Sequence, residues 1–176
     1  MNDMMRLIQP LIPALRRYAR TLVRDRAAAD DLVQDCLERA ITRWHQRKSD
    51  NDVRAWVFTI LHNVAMSYLR KRTLRNRHVA LDDADEAASA STPSTEESSV
   101  RYRELLRALD ALPEDQRSVL LLVSVEDLSY SEAAQVLNIP VGTVMSRVAR
   151  AREKLLRATN GEPNTTPQRP TLRRIK

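Results

Sequence analysis

Residues 129–155 read SYSEAAQVLNIPVGTVMSRVARAREKL, a stretch with clear signals for the start and end of helices. Ser129 is followed three residues later by Glu132, a capping box that predicts the start of a helix. Asn138 tolerates the left-handed conformation that ends a helix, and Pro140 is preset for the first turn of the next one. The stretch therefore predicts two helices joined by a tight turn.

The second of these helices, about residues 140–156, is predicted to have one apolar and one basic face. Val144, Val148 and Ala151 recur at the three- and four-residue spacing of a buried stripe. A short helix, a tight turn and a basic second helix are typical of the DNA-binding helix-turn-helix. An ordinary helical hairpin with a solvated basic face is the alternative for this stretch alone. The polar face carries Thr143, Ser146, Arg147 and Arg150.

The composition favours a helical protein with an anionic partner. The 176 residues carry a formal charge of +6, which favours binding to nucleic acid or another anion. Two glycines and seven aromatic residues (two Trp, four Tyr, one Phe) argue against a β-rich fold. A single cysteine fits a reducing compartment. We find no signal peptide and no apolar run near the about 18 residues of a membrane span, so we expect a cytoplasmic protein without membrane insertion.

Three segments of the first half show apolar residues at helical spacing, and together they predict a small helical bundle. They are residues 7–24, 27–45 and 53–72. The predicted buried stripes include Leu7 in the first segment and Ile41 in the second. Arginines, Arg17 among them, are expected on the outside of the first helix. The third helix is expected to expose a polar face with Arg54, His62, Asn63 and Arg70, after a polar loop at residues 46–52.

The second helix carries acidic and amide side chains opposite its apolar stripe. Such a face is usually only solvated. In a basic protein it is also a candidate docking site for a basic protein partner. The residues are Asp31, Gln34, Asp35 and Glu38.

The chain changes character after the third helix. Residues 79–99 contain six acids, no bases and many Ser, Thr and Ala, which predicts a flexible linker. Residues 100–158 form the second predicted domain of four helices, whose first helix has a stripe that includes Tyr102, Leu105 and Leu106. Residues 159–176 are rich in proline and end in LRRIK, which predicts a disordered basic tail.

These motifs together resemble the sigma factors of bacterial RNA polymerase. LPEDQRSVLLL, the helix-turn-helix and GTVMSRVARAREKL look like sigma region 4. ADDLVQDCLERA and RAWVFTILHNVAMSYLRKR in residues 1–78 look like region 2. A linker in place of a region 3 domain is the pattern of the extracytoplasmic-function (ECF, group IV) sigma factors of the sigma-70 family. LIPALRRYARTLVRDRAAADDLVQ is also somewhat like the general-stress sigma factors of alphaproteobacteria.

The resemblance implies an all-α fold of two small domains and a role for each surface. It implies that the acidic face binds core RNA polymerase, that the second domain reads the −35 promoter element, and that an anti-sigma factor is a partner. Met145 stands where the family commonly has a basic residue, which puts one DNA contact in doubt. The −35 candidates are Thr143, Met145, Ser146, Arg147 and Arg150. The −10 candidates are Arg47, Lys48, Ser49, Asn51, Arg54, His62, Asn63 and Arg70.

Two other functions compete with promoter recognition. A two-domain regulator that binds operator DNA as a dimer would explain the helix-turn-helix, but not the acidic face or the long basic third helix. A protein that only sequesters a sigma factor would not need a basic recognition helix. The sequence offers no nucleophile–base pair, no phosphate-binding glycine loop and no metal-ligand cluster, so we expect neither an enzyme nor a cofactor.

Overall fold

The computed structural model describes residues 2–47, 52–79 and 96–159, and every regular element in these ranges is helical. The all-α prediction is confirmed. Two short 3-10 turns, Gln9–Leu11 and Trp44–Gln46, accompany the α-helices. The helices are α1 (Asn2–Ile8), α2 (Ile12–Val23), α3 (Arg26–Thr42), α4 (Val53–Val79), α5 (Glu96–Asp110), α6 (Glu114–Ser124), α7 (Tyr130–Leu137) and α8 (Val141–Thr159).

The first domain is a bundle in which α2, α3 and α4 pack against one another, with α1 against α4. Asp25 caps α3 by accepting a hydrogen bond from the Ala28 amide at 3.0 Å. Tyr18 and Phe58 pack edge to face at the centre, with ring centroids 5.6 Å apart. Both rings are fully buried, so this pair joins α2 to α4 in the core.

Two residues of the stripes predicted for the first domain are exposed. Leu7 is 47% exposed, while Met4 and Ile8 are buried instead. The 3-10 turn around Pro10 separates α1 from α2 and changes the rotation of side chains between them, so one stripe cannot run through both. Ile41 is 49% exposed. It lies in the last turn of α3, where Ala40 is buried and Ile41 is not.

The second domain contains the predicted helix-turn-helix, formed by α7 and α8. Both bonds of the capping box are present: Ser129 Oγ accepts from the Glu132 amide at 3.2 Å, and Glu132 Oε2 accepts from the Ser129 amide at 2.7 Å. Asn138 ends α7 in the left-handed conformation, with a φ of 52°. The inward-facing stripe of α8 is buried as predicted, at Val144, Val148 and Ala151.

Two predictions in and before the second domain are wrong. Helix α5 begins at Glu96, so the predicted linker 79–99 contains the start of a helix, as well as Val79 at the end of α4. Its predicted stripe is exposed at Tyr102, Leu105 and Leu106, because α5 packs on α8 through residues nearer its C-terminus. Residues 80–95 of the linker and 160–176 of the tail lie outside the described residues.

The two domains pack against each other and share one cluster of buried apolar side chains. Helix α4 lies against α7, and α2 lies against α6. Arg54, Phe58, His62 and Met66 follow one another at four-residue spacing and therefore share one face of α4. Phe58 and His62 on this face contact Tyr18 of α2, so the simple amphipathic prediction for α4 is incomplete. The same face also meets the second domain, through Arg54, His62 and Met66. We call this contact the interdomain seam.

Candidate nucleic-acid and protein interfaces

The acidic face of α3 is open to solvent. Asp31, Gln34, Asp35 and Glu38 are all exposed, as the sequence predicted. Gln34 Nε2 donates to Glu38 Oε1 at 3.1 Å, one helical turn along the same face. The opposite side of α3 is anchored by buried residues such as Val33 and Cys36. The fold therefore presents a rigid, accessible acidic surface on the first domain.

The predicted −10 residues fall into different environments. Arg47 lies over the Trp44 ring, with its guanidinium carbon 4.8 Å from the ring centroid. Asn63 and Arg70 are exposed on α4. Arg70 Nη2 donates to Ser67 Oγ at 3.3 Å. Lys48, Ser49 and Asn51 lie outside the described residues.

His62 is buried, and its predicted place on an exposed face is wrong. Only 9% of the residue is accessible, and its Nδ1 lies 3.0 Å from the Tyr18 hydroxyl in a hydrogen bond. Burial lowers the pKa of His62 to about 4, and the nearby positive charge of Arg70 acts in the same direction. The imidazole is therefore neutral at physiological pH. The prediction failed because His62 lies against Tyr18 of α2 and also faces second-domain residues across a shared pocket.

Arg54 is also at the seam, together with a residue that the sequence did not single out. Arg54 donates to the backbone carbonyl of Glu126, and its Nη2 lies 4.0 Å from Glu126 Oε2. Arg17 donates to both carboxylate oxygens of Glu126, at 2.8 and 2.7 Å. The Glu126 carboxylate raises the pKa of the Arg17 guanidinium by its hydrogen bonds. Arg17 and Glu126 are 109 positions apart, so no local pattern could have paired them.

The predicted recognition helix α8 presents most of its polar face to solvent. Met145, Ser146 and Arg150 are exposed, whereas Thr143 is half-buried. Ser146 Oγ donates to the Thr143 carbonyl at 3.0 Å. Arg147 is half-buried and pairs with Asp115 of α6, with Nε 3.3 Å from Oδ2.

Residues predicted for the two promoter elements meet at one open pocket on the seam. His62 and Met66 of the first domain line it together with Asp115, Leu137 and Arg147 of the second. In this arrangement the second domain covers part of the predicted −10 surface. Among the described residues, no helix is both long enough and apolar enough to cross a membrane.

Comparisons with known proteins agree with the two-domain division. A family model described as the Sigma2 domain of PhyR matches residues 8–62, and the Sigma-70 region 4 model matches residues 102–155. The order of these two helical domains, with the helix-turn-helix in the second, defines a sigma factor of the sigma-70 class.

Curated relatives place the chain within that class. The ECF RNA polymerase sigma factor EcfG of Rhodopseudomonas palustris is 39% identical over 144 residues, which cover 82% of this chain and 78% of that protein. The ECF sigma factor SigC of Mycobacterium tuberculosis is 35% identical over 146 residues, covering 80% and 74% of the two chains. The chain belongs to the ECF RNA polymerase sigma factor family.

Solved structures extend the similarity to the three-dimensional fold. The sigma factor RpoE of Bartonella quintana, solved in complex with the anti-sigma factor NepR, has a TM-score of 0.78 and 31% identity. The match covers 93% of this chain and 100% of that one. The structure of CnrH in complex with the cytosolic domain of CnrY shares the fold, with a TM-score of 0.66 and 23% identity.

Proposed function

We propose that this sigma factor binds core RNA polymerase through the acidic face of α3 and directs it to promoters with −35 and −10 elements. The observation that carries the proposal is the presence of two exposed surfaces of opposite character on one chain. The first domain offers the carboxylates of Asp31, Asp35 and Glu38, and the second offers the polar and basic face of α8. The family to which the chain belongs supports the same division.

The two domains are suited to different states of DNA. Helix α8 follows a tight turn and exposes small polar residues and arginines, which suits a duplex major groove, where all four base pairs differ. Asn63, Arg70 and the loop before α4 are assigned to the −10 strand. Single-stranded DNA is bound through basic grooves and base pockets. The protein itself contributes binding and positioning to initiation.

An anti-sigma factor is the partner proposed to hold the chain inactive. The Bartonella relative was solved with such a protein, and the similarity to that relative covers both domains. A partner that contacts both domains at once could keep the seam closed. Binding of such a partner would then oppose DNA binding by the residues at the seam.

Charge reversal on the acidic face tests the docking assignment. Asp31→Arg combined with Asp35→Arg should weaken core polymerase binding about 100-fold, since like charges placed opposite each other at an interface cost several kcal/mol. Both side chains are exposed, so the helicity should be unchanged. Binding is measured by titrating labelled chain with purified core enzyme.

The matched control is Glu104→Arg with Glu153→Arg, which reverses the charge of two exposed acidic residues outside α3. It gives the same change in net charge. This control should retain nearly the wild-type affinity for core enzyme. Equal affinities of the two double variants would remove α3 as the docking face.

A further inference from the structure

Two arginines of the first domain converge on one carboxylate of the second. Arg17 of α2 forms a fork, with Nε 2.8 Å from Oε1 and Nη2 2.7 Å from Oε2 of Glu126. Arg54 of α4 approaches the same residue through its carbonyl and Oε2. A guanidinium fork matches the oxygens of a carboxylate and of a phosphate alike. The two arginines thus form an anion-binding site, and the anion in it is the Glu126 carboxylate of the same chain.

The Glu126 carboxylate belongs to a tight loop between α6 and α7. The Glu126 amide donates to the Leu121 carbonyl and the Leu128 amide to the Leu122 carbonyl, each at 3.0 Å. Asp127 between them has a φ of 50°. The Glu126 side chain is fully buried in this position. The loop therefore holds the acid in a fixed place against the first domain.

The arginines retain capacity for a different anion. The Arg17 side chain is 52% exposed even while it is paired with Glu126. The buried Nε of Arg54 has no hydrogen-bond partner among the described residues. If the loop withdrew, two positive groups would remain close together without an acid between them. Such a pair attracts an anion from solution.

The site lies within the surface proposed to meet the −10 strand, since Arg54 is one of its members. A second ion pair across the seam, between Arg24 Nε and Asp110 Oδ1 at 3.0 Å, also draws its arginine from the first domain and its acid from the second. The second domain therefore offers carboxylates where a DNA strand would offer phosphates. A strand that reaches Arg54 has to displace Glu126.

We infer that Arg17 and Arg54 form a binding site for a backbone phosphate of DNA, and that the Glu126 carboxylate occupies this site when the two domains are packed together. The inference rests on the proposed function and adds a residue, Arg17, to its DNA-binding surface. Closure of the seam and phosphate binding at this site exclude each other. Loss of the Glu126 charge therefore strengthens DNA binding.

The test measures binding of the full chain to a fluorescein-labelled single-stranded oligonucleotide of about 12 nucleotides by fluorescence anisotropy. Glu126→Gln should bind this probe several-fold more tightly than wild type. Arg17→Ala should bind more weakly, and its salt slope should fall by about one because one phosphate contact is lost. The matched controls are Glu104→Gln and Arg16→Ala, which change exposed residues away from the site.

A double variant separates a local effect from general electrostatics. In the Arg17→Ala background, Glu126→Gln should give little further gain, since the two changes act on one site. The same gain in both backgrounds, or equal affinities of Glu126→Gln and Glu104→Gln, would overturn the inference. Circular dichroism reports folding. Should the Gln variant lose helicity, Glu126→Asp, which keeps the charge but shortens its reach, is expected to tighten binding to a smaller extent.

Run-off transcription with core polymerase keeps the two proposals distinguishable. If wild type supports no initiation, the proposed function fails, whatever the oligonucleotide shows. If wild type supports initiation but Arg17→Ala and Glu126→Gln bind the probe like their controls, only the phosphate site fails.

Discussion

At the scale of single residues, His62 links the packing of the two domains to pH. It is buried beside Tyr18, and burial lowers its pKa to about 4 from the ordinary 6.5. Between these two values the unfolded chain binds a proton that the folded chain does not. The free energy of unfolding therefore falls as the pH is lowered from 6.5 towards 4.

The expected contribution of His62 at pH 5 is a loss of about 2 kcal/mol relative to pH 7, since each pKa unit corresponds to about 1.4 kcal/mol. His62→Gln keeps a hydrogen-bonding side chain for Tyr18 and cannot titrate. It should therefore lose less stability than wild type over this range. Urea unfolding of both proteins at pH 7 and pH 5 measures the difference. Equal losses in the two proteins would mean that His62 is not the group responsible.

Residues whose roles depend on near neighbours in sequence could be predicted, whereas residues at the seam could not. The Ser129–Glu132 capping box and the left-handed Asn138 involve short separations and follow from residue type alone. The environment of His62 depends on Tyr18, 44 positions away, and on residues of the second domain that line a pocket with it. The Arg17–Glu126 pair likewise arises only when the two domains pack. The surroundings of these residues are determined by how the helices and the two domains pack together.

At the scale of elements, α4 and α5 show what a hydrophobic pattern can specify. Helix α4 buries Phe58 and His62 as well as its predicted stripe, since it packs against both its own bundle and α7. Helix α5 does the opposite and exposes Tyr102 at 61%. Periodicity predicted that both segments are helices. The number of helices that pack against each of them depends on the tertiary arrangement. The periodicity of the apolar residues does not specify that arrangement.

Helix α8 supplies the prediction at this scale, because Arg147 and Arg150 lie about one turn apart on it. Arg147 is nearer its N-terminus, so Arg147→Ala should cost about 1–3 kcal/mol and relax specificity at one −35 position. Arg150→Ala should weaken binding to all sequences alike and reduce the salt slope by about one. Holoenzyme binding to the wild-type promoter and to −35 mutants at several salt concentrations measures both.

Core polymerase binding is the internal control, and it should be unchanged in both variants because that contact is assigned to α3. Wild-type promoter binding by both variants would show that α8 does not read the −35 element.

At the scale of the whole molecule, the two domains face each other through surfaces that the proposed function needs for DNA. Arg54 and His62 of the first domain and Arg147 of the second all lie at the seam. The acidic face of α3 remains exposed in the same arrangement. On the proposed assignment, we expect core polymerase to dock on α3 while the two domains are still packed together. Separation would then release the DNA-binding residues on the enzyme.

The most direct test of the central claim is run-off transcription by purified core polymerase on a template library with randomised −35 and −10 positions, followed by sequencing of the transcripts. The wild-type chain is expected to convert core enzyme into a form that initiates at a restricted set of −35 and −10 sequences. Asp31→Arg with Asp35→Arg should abolish this conversion. A wild-type chain that binds duplex DNA by itself but leaves core enzyme without promoter selection would contradict the proposed function and indicate an operator-binding regulator.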